Sequence, residues 1–187
     1  MKAKYIKKII GLVGKKHSGK DSFYANCLEL YLAGEIKLLP YRLAFADALK
    51  EEVAKQCNTT VEQINKEKKA YRSRLQDIGV ARRRQDEEYW INRLAQKMIK
   101  YELQEANTPS LVIITDVRFL NEAEFIHKLN GKLIRITRPS TDNDIDKHVS
   151  ETELTLIDYD YPLSNYGSND LYKHQILDTL KQLKYTE

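Results

Sequence analysis

The sequence predicts an α/β protein with a central parallel sheet of about five strands flanked by helices. Three observations favour this fold class. A short apolar run at 9–13 leads into a glycine-rich loop and then a helical pattern, strand and helix patterns alternate along the chain, and the apolar run at 111–114 is continuous. Continuous apolar strands are typical of parallel sheets that helices cover on both faces.

The individual elements follow from the spacing of the apolar residues. Strand patterns cover residues 8–13, 41–45, 111–115, 132–137 and, more weakly, 161–165. Helical patterns lie between them, at 20–33, 47–57, 60–78, 86–106, 121–129, part of 150–157, and 169–183. Thr60 with Gln63 resembles a capping box, and Gly131 is placed as a helix stop.

The composition is that of an ordinary soluble protein, long enough for one domain with a substantial core. Of 187 residues, 31% are charged and 42% hydrophobic, and the formal net charge is +4. No apolar run approaches the length of a membrane span, and no signal-peptide pattern opens the sequence. The two cysteines lack metal-ligand spacing and indicate reduced thiols. We therefore expect a cytoplasmic protein.

The most specific pattern is the segment 14–22, between the first strand and the first helix. Gly14 and Gly19 are followed by Lys20. Such glycines let backbone N–H groups turn toward an anion, and the lysine places a positive charge on the outer phosphates of ATP or GTP. A solvated lysine-rich turn would not explain this register. The candidate nucleotide-binding residues are Gly14, Lys15, His17, Ser18, Gly19, Lys20, Asp21 and Ser22.

The position after Lys20 departs from the usual loop, which has Ser or Thr there as a magnesium ligand. Here Asp21 takes that place and Ser22 follows. The carboxylate suits Mg²⁺ directly or through water, and it also suits the positive end of a helix as a first-turn residue. We favour a role near the metal for Asp21. Ser22 is either a further metal ligand or an ordinary helix residue.

A second constellation follows the strand at 111–115. Ligands of parallel sheets collect at the carboxyl ends of the strands, so Asp47, Asp116, Arg118 and Arg138 become candidates. We expect Asp116 and Arg118 to follow the central strand, beside the glycine-rich loop. A carboxylate there would hold the water shell of Mg²⁺, and an arginine would neutralise phosphoryl oxygens. A turn cap and a surface ion pair are the plain alternatives. The candidate metal ligands are Asp21, Ser22 and Asp116.

Six short motifs carry a family resemblance. They are GKDS at 19–22, LAFADALK at 43–50, RLQDIG at 74–79, YWI at 89–91, TDVRFLNE at 115–122 and HVSE at 148–151. Together they resemble the motif series of bacteriophage deoxynucleoside monophosphate kinases, over residues 9–170. Aspartate after the loop lysine also occurs in that family and in animal-type phosphomevalonate kinases.

The resemblance implies a single domain of the P-loop NTPase, nucleoside-monophosphate-kinase-like fold. The implied reaction is transfer of the γ-phosphoryl group of ATP to a deoxynucleoside 5′-monophosphate, with Mg²⁺. By position, a helical segment at about 47–106 would bind the acceptor, and a region at about 138–151 would form a lid. A phage-encoded protein would act in the host cytoplasm. The resemblance is compatible with a homodimer, although no apolar stripe specifies one.

Phosphoryl transfer requires two anions to be positioned and their charge compensated, which explains many arginines and no nucleophile. We assign Lys20 to the β and γ phosphates, and Arg118 and Arg138 to the transferring group or the acceptor phosphate. Lys50 is equally compatible with a solvent-facing lysine, Gln76 with a helix cap, and Trp90 with a core position. The candidate acceptor-binding residues are Asp47, Lys50, Arg72, Arg74, Gln76, Trp90 and Arg118.

Two other functions remain open. A phosphomevalonate-kinase-like enzyme would share the ATP site and differ in its acceptor. A nucleic-acid-associated module would use the run Arg82-Arg83-Arg84 on a phosphate backbone, but no recognition helix or long basic tail accompanies that run. Small nucleotides are therefore the expected partners, with no membrane and no nucleic acid.

Overall fold

The structure is a computed structural model that describes residues 6–104, 110–139 and 153–187. It contains two compact units. One combines Met1–Leu43 with Tyr101–Glu187, and the other is Ala44–Lys100. We call them the sheet unit and the helical unit. Among the described helices, none is long and apolar enough to cross a membrane.

The elements follow one another in the predicted order. In chain order they are β1 Ile6–Val13, α1 Lys20–Leu32, β2 Leu39–Leu43, α2 Phe45–Gln56, α3 Val61–Lys66, α4 Lys68–Gln85, α5 Tyr89–Gln104, β3 Ser110–Val117, α6 Leu120–Lys128, β4 Lys132–Thr137, β5 Tyr161–Ser164 and α7 Asn169–Gln182. The helical unit contains α2 to α4 and most of α5.

The sheet has five strands in the order β2-β3-β1-β4-β5, and every pair is parallel. This confirms the predicted fold class. The middle strand is β1, so the prediction that β3 is central was wrong by one place. β3 lies directly beside β1, as expected, and Val13 pairs with Val117 at their carboxyl ends.

The core of the sheet unit explains the continuous apolar runs. Four consecutive side chains at 111–114 are fully buried, because both faces of β3 are covered. α1 and α7 pack against the sheet, and Asn26 and Asn169 exchange amide hydrogen bonds of 3.1 and 3.2 Å between these helices. These hydrogen bonds pair the buried side-chain amide of Asn26, whose burial without a partner would destabilise the fold.

The helical unit contains a small apolar cluster around α3. Val53, Ala54 and Ile64 are buried in it, with half-buried side chains packed around them. Other side chains of this unit are also buried, among them Phe45, Ala48, Trp90, Ile91, Leu94 and Met98. The predicted helix at 60–78 is divided at Glu67, whose backbone leaves the helical region. Thr60 Oγ1 accepts the N–H of Gln63 at 3.1 Å, but the Gln63 side chain donates to Glu67, so only half of the capping box forms.

Most other boundaries shift by a few residues. The second strand is Leu39–Leu43 and not 41–45, because Phe45 already begins α2. Pro40 is tolerated since β2 is an edge strand. The stop after α6 is confirmed: the Gly131 N–H donates to Ile126 O at 2.9 Å, although Asn130 takes the left-handed conformation with φ 57°. Of the predicted helix at 150–157, residues 150–152 lie outside the described part, and only Glu153-Leu154 are helical before a turn.

Candidate phosphate-binding site

The glycine-rich loop lies at the carboxyl end of the middle strand. Its two positions Gly14 and Gly19 require glycine for different structural reasons. A Cβ at Gly14 would lie 2.5 Å from Ile136 O and 2.7 Å from Ser18 Oγ. Gly19 has φ 108°, and a Cβ there would overlap the Asn165 amide. His17 also has a positive φ, of 63°. The glycine spacing that predicted the loop therefore corresponds to a tightly turned backbone before α1.

Lys20 is the first residue of α1, and its side chain folds back over the loop. Its Nζ donates to Gly14 O at 2.5 Å, to Lys15 O at 2.6 Å and to Ser18 Oγ at 3.3 Å. Ser18 is only 1% exposed. The ammonium group is thus held at the mouth of the loop, where a bound phosphate would exchange with these carbonyl oxygens.

Three side chains from the C-terminal part of the chain reach the loop backbone. Asn165 Nδ2 donates to Ser18 O at 2.8 Å, and the Tyr172 hydroxyl donates to Gly19 O at 3.3 Å. Arg138 Nη1 makes a longer contact of 3.5 Å with His17 O. Sequence reasoning selected Arg138 but missed Asn165 and Tyr172. Asn165 follows β5 directly, so the same rule of strand ends would have found it.

The end of β3 contains a bulge next to the loop. Between the pairs Gly11–Ile114 and Val13–Val117, β3 has one more residue than β1. Asp116 lies in this bulge and is half-buried. Bulges re-aim side chains and are frequent beside active sites. The structure therefore places Asp116 at the predicted edge of the sheet, beside the strand that leads into the loop.

Buried Glu122 fixes the backbone that follows this bulge. Its Oε2 accepts the N–H of Arg118 at 2.8 Å and the N–H of Phe119 at 3.2 Å. Glu122 is 1% exposed and lies in the first turn of α6. It belongs to the 115–122 motif, but sequence analysis gave it no role. Its carboxylate sets where the half-buried Arg118 leaves the sheet.

Asp21 and Ser22 are both exposed in the first turn of α1. The Asp21 side chain is 91% exposed, and its Oδ1 lies 3.9 Å from Nε of Arg42, a guanidinium that sequence analysis did not select. No cluster of three or more metal-ligating side chains occurs among the described residues. Asp21, Ser22 and Asp116 carry oxygen donors of the kind that Mg²⁺ prefers, and Mg²⁺ takes few protein ligands and keeps water and phosphate oxygens. Their role as metal ligands stays a prediction.

Apart from Arg118, which lies in the sheet unit, the acceptor candidates lie in the helical unit. Asp47 and Lys50 are half-buried on α2, whereas Trp90 is buried and its Nε1 donates to Gly79 O at 3.2 Å. This agrees with the wall or core interpretation of Trp90. The exposed candidates on α4 are Arg72, Arg74 and Gln76. Their acceptor-binding roles stay predictions.

The arginine run at 82–84 is partly engaged in the helical unit. Arg82 forms an ion pair with Glu52, and its guanidinium lies 5.3 Å from the centre of the Tyr89 ring. The hydrogen bond and charge of Glu52 raise the pKa of Arg82. This pairing weakens the case for a phosphate-backbone surface. The predicted lid at 138–151 and the HVSE motif lie mostly or wholly outside the described residues, which end at 139 and resume at 153.

The fold is that of a P-loop kinase. Among solved structures, an APS kinase mutant from Mycobacterium tuberculosis aligns with TM-score 0.50 and 14% identity, covering 93% of this chain and 96% of its own. A dephospho-CoA kinase from Campylobacter jejuni aligns with TM-score 0.50 and 9% identity, covering 94% and 97%. At these identities the alignments show the fold alone.

A family model narrows the class. The phosphomevalonate kinase model matches residues 12–132, and the chain belongs to that family. A curated protein of Acanthamoeba polyphaga mimivirus, described as a putative deoxynucleotide monophosphate kinase, is 44% identical over 77 residues. That match covers 41% of this chain and 39% of the viral protein. The chain thus aligns with less than half of the viral relative's length, and this similarity does not show a phage origin.

Proposed function

We propose that this protein transfers the γ-phosphoryl group of ATP to a deoxynucleoside 5′-monophosphate, giving ADP and the diphosphate, with Mg²⁺. The observation that carries the proposal is the glycine-rich loop with Lys20 at its mouth, next to the bulged strand end that presents Asp116 and Arg118. The site combines backbone donors, cations and carboxylates, which phosphoryl transfer requires. The similarity to a viral relative adds the host cytoplasm as the proposed location.

In this mechanism Lys20 leaves the carbonyls of Gly14 and Lys15 and binds the β and γ phosphates. Arg118 and Arg138 neutralise charge on the transferring group, since guanidinium groups bind phosphoryl oxygens in a planar, bidentate way. Asp21, Ser22 and Asp116 would hold Mg²⁺, directly or through water, and the ion would reduce the charge of the phosphates. The attacking atom of this reaction is an oxygen of the acceptor's 5′-phosphate, which is already ionised at neutral pH, so no strong general base is required.

The helical unit is proposed to bind the acceptor. Arg74 belongs to the RLQDIG motif and is exposed together with Arg72 and Gln76, so these side chains are accessible to an anionic ligand. Arginine would bind the 5′-phosphate, and the Gln76 amide would read a base edge.

A second acceptor class is supported by the family model, whose description is phosphomevalonate kinase. Such an acceptor also carries a phosphate but lacks a flat base. We favour the nucleotide because the viral similarity reaches 44% identity. The decisive difference is whether turnover requires a nucleobase.

The test is ADP release with MgATP against a panel of dNMPs, NMPs and phosphomevalonate. The wild type is compared with Lys20→Ala, Arg118→Ala and, as a matched control, Lys16→Ala, because Lys16 is an exposed lysine of the same loop. We expect turnover with some dNMPs, a loss of about a hundredfold or more in the first two variants, and little change in the control.

Activity with phosphomevalonate alone would contradict the nucleotide assignment and support the second acceptor class. Tight ATP binding without turnover on any acceptor would contradict the kinase itself. Salt-dependent binding to DNA or RNA in that case would revive the binding-module interpretation.

A further inference from the structure

We propose that Asn165 and Tyr172 are positioning residues for phosphate binding, because they fix the orientation of two consecutive peptide groups of the glycine-rich loop. The inference rests on the phosphate-binding part of the proposed function, not on its acceptor. Neither residue belongs to the loop or to the motifs that identify it.

The geometry begins with two carbonyl groups. Ser18 O accepts from the Asn165 amide at 2.8 Å, and Gly19 O accepts from the Tyr172 hydroxyl at 3.3 Å and from the Phe23 N–H at 2.8 Å. A trans peptide group is planar, and its C=O and N–H point in opposite directions. Holding both carbonyls toward β5 and α7 therefore turns the N–H groups of Gly19 and Lys20 away from those elements.

The two donors are themselves rigidly held. The backbone N–H of Asn165 donates to Thr137 O at 2.8 Å, which joins the residue to the end of β4. Tyr172 is 1% exposed in the core between α1 and α7. Burial, with a smaller contribution from Cys27, raises the pKa of the Tyr172 hydroxyl, so it stays a proton donor at neutral pH.

The need for such holding follows from glycine. Gly19 has φ 108°, a backbone conformation that glycine reaches readily because it has no Cβ. Any Cβ would overlap Asn165, so the amide occupies the space that glycine leaves. Gly19 leaves the peptide group before it free to rotate, and the hydrogen bond from Asn165 fixes that peptide group. The two N–H groups are then oriented before the anion binds. Because binding requires little reorganisation of the loop, the affinity for phosphate is higher.

The test measures phosphate affinity apart from catalysis. Asn165→Ala and Tyr172→Phe each remove a donor without adding charge. Asn169→Ala is the matched control, because it also removes an interelement amide hydrogen bond, to Asn26, but does not contact the loop. The probes are inorganic tripolyphosphate and MgATP by calorimetry, with thermal unfolding measured in parallel.

We expect the Kd of both probes to rise about tenfold in Asn165→Ala and about threefold in Tyr172→Phe, the values for one lost neutral hydrogen bond. Asn169→Ala should lower thermal stability and leave both Kd values within about twofold of wild type. A Kd that is unchanged in Asn165→Ala, or raised equally in Asn169→Ala, would overturn the proposal.

The same experiment separates this inference from the proposed function. If no nucleotide acceptor is phosphorylated but tripolyphosphate affinity still falls in Asn165→Ala, the positioning role stands and the acceptor assignment is wrong. If dNMPs are phosphorylated and the two Kd values do not respond, the positioning role is wrong and the kinase assignment stands. Absence of tripolyphosphate and MgATP binding in the wild type would overturn the positioning role itself.

Discussion

The sheet unit and the helical unit of this chain differ in how their own side chains are packed. In the sheet unit, parallel strands carry fully buried aliphatic side chains, with helices packed against them. In the helical unit, α4 has no buried residue over its eighteen positions, and the small cluster around Val53 and Ile64 is bordered by half-buried side chains. From this comparison we expect a rigid frame for the phosphate loop and easier local opening of α4, where Arg72, Arg74 and Gln76 lie.

The sharpest test of this comparison uses one substitution in both units. Ile113 on β3 and Ile64 on α3 are both 0% exposed. We expect Ile113→Ala to lower the free energy of unfolding by about 4 kcal/mol and Ile64→Ala by about 2 kcal/mol, because a cavity among half-buried side chains collapses more easily. Urea unfolding measures both. Equal losses would contradict the difference in packing.

Within the helical unit, Trp90 is expected to be the main anchor of α5. Trp90→Phe removes the N–H that reaches Gly79 O and part of a buried ring, so we expect a loss of about 1–2 kcal/mol. Tyr89→Phe is the control, since it removes a hydroxyl bound to half-buried Glu52 and should cost less. Urea unfolding that ranks Tyr89→Phe as the more damaging change would show that α5 is anchored elsewhere.

We expect a carboxyl group of the sheet unit, that of Asp160, to contribute to the loss of stability at low pH. Burial of Asp160 tends to raise its pKa, but hydrogen bonds from the Leu133 N–H, Lys132 and His127 outweigh it and lower the pKa. A lowered pKa stabilises the fold above the ordinary carboxyl value of about 3.9, and the contribution is lost as pH falls through the lowered folded value. We expect Asp160→Asn to cost about 1 kcal/mol at pH 7 and to flatten the acid limb of the stability curve.

Thermal unfolding between pH 2 and 7 checks this effect, with Asp158→Asn as the exposed neighbouring control. A variant at position 160 that keeps the wild-type slope below pH 4 would show that other carboxyl groups govern acid unfolding.

The smallest perturbation uses the two cysteines as reporters. Cys27 is buried in the sheet unit, where burial raises its pKa, and Cys57 is half-buried in the helical unit. Cys57→Ser should change stability by less than about 1 kcal/mol and leave one reporter. We expect the native Cys57 thiol to react with a disulfide reagent at least about a hundredfold faster than Cys27. Similar rates would indicate that the two units open together.

The same contrast explains what sequence reasoning could predict. The strands of the sheet unit were found because 111–114 is a continuous apolar run and 132–137 is rich in β-branched and apolar residues. The loop was found because two glycines and a following lysine have the spacing of a phosphate-binding loop. The break at Glu67 and the extension of α4 to Gln85 were missed. Tyr71, Leu75 and Ile78 give the first part of α4 a half-buried apolar face, but residues 82–85 are all polar and continue no apolar pattern.

The candidate site was predictable where function depends on residue type. Asp116, Arg118 and Arg138 lie at or directly after strand ends in the sheet unit, as the parallel topology requires, and Lys20 begins the helix after the loop. Asn165 could have been selected from its place after β5, but neither its role nor those of Glu122 and Tyr172 could be assigned. These side chains act on backbone groups, and almost every residue has both a carbonyl oxygen and an N–H. Only coordinates identify which peptide group is held.

The bonds of Lys20 to its own loop have a practical consequence for the study of inactive variants. The ammonium group joins the carbonyls of Gly14 and Lys15. Replacing this lysine therefore removes a donor from two loop carbonyl oxygens as well as a proposed contact to phosphate. A Lys20 variant would mix a conformational defect with a chemical one. Arg118→Ala leaves these Lys20 hydrogen bonds in place, so we expect it to be the better choice for trapping a ternary complex.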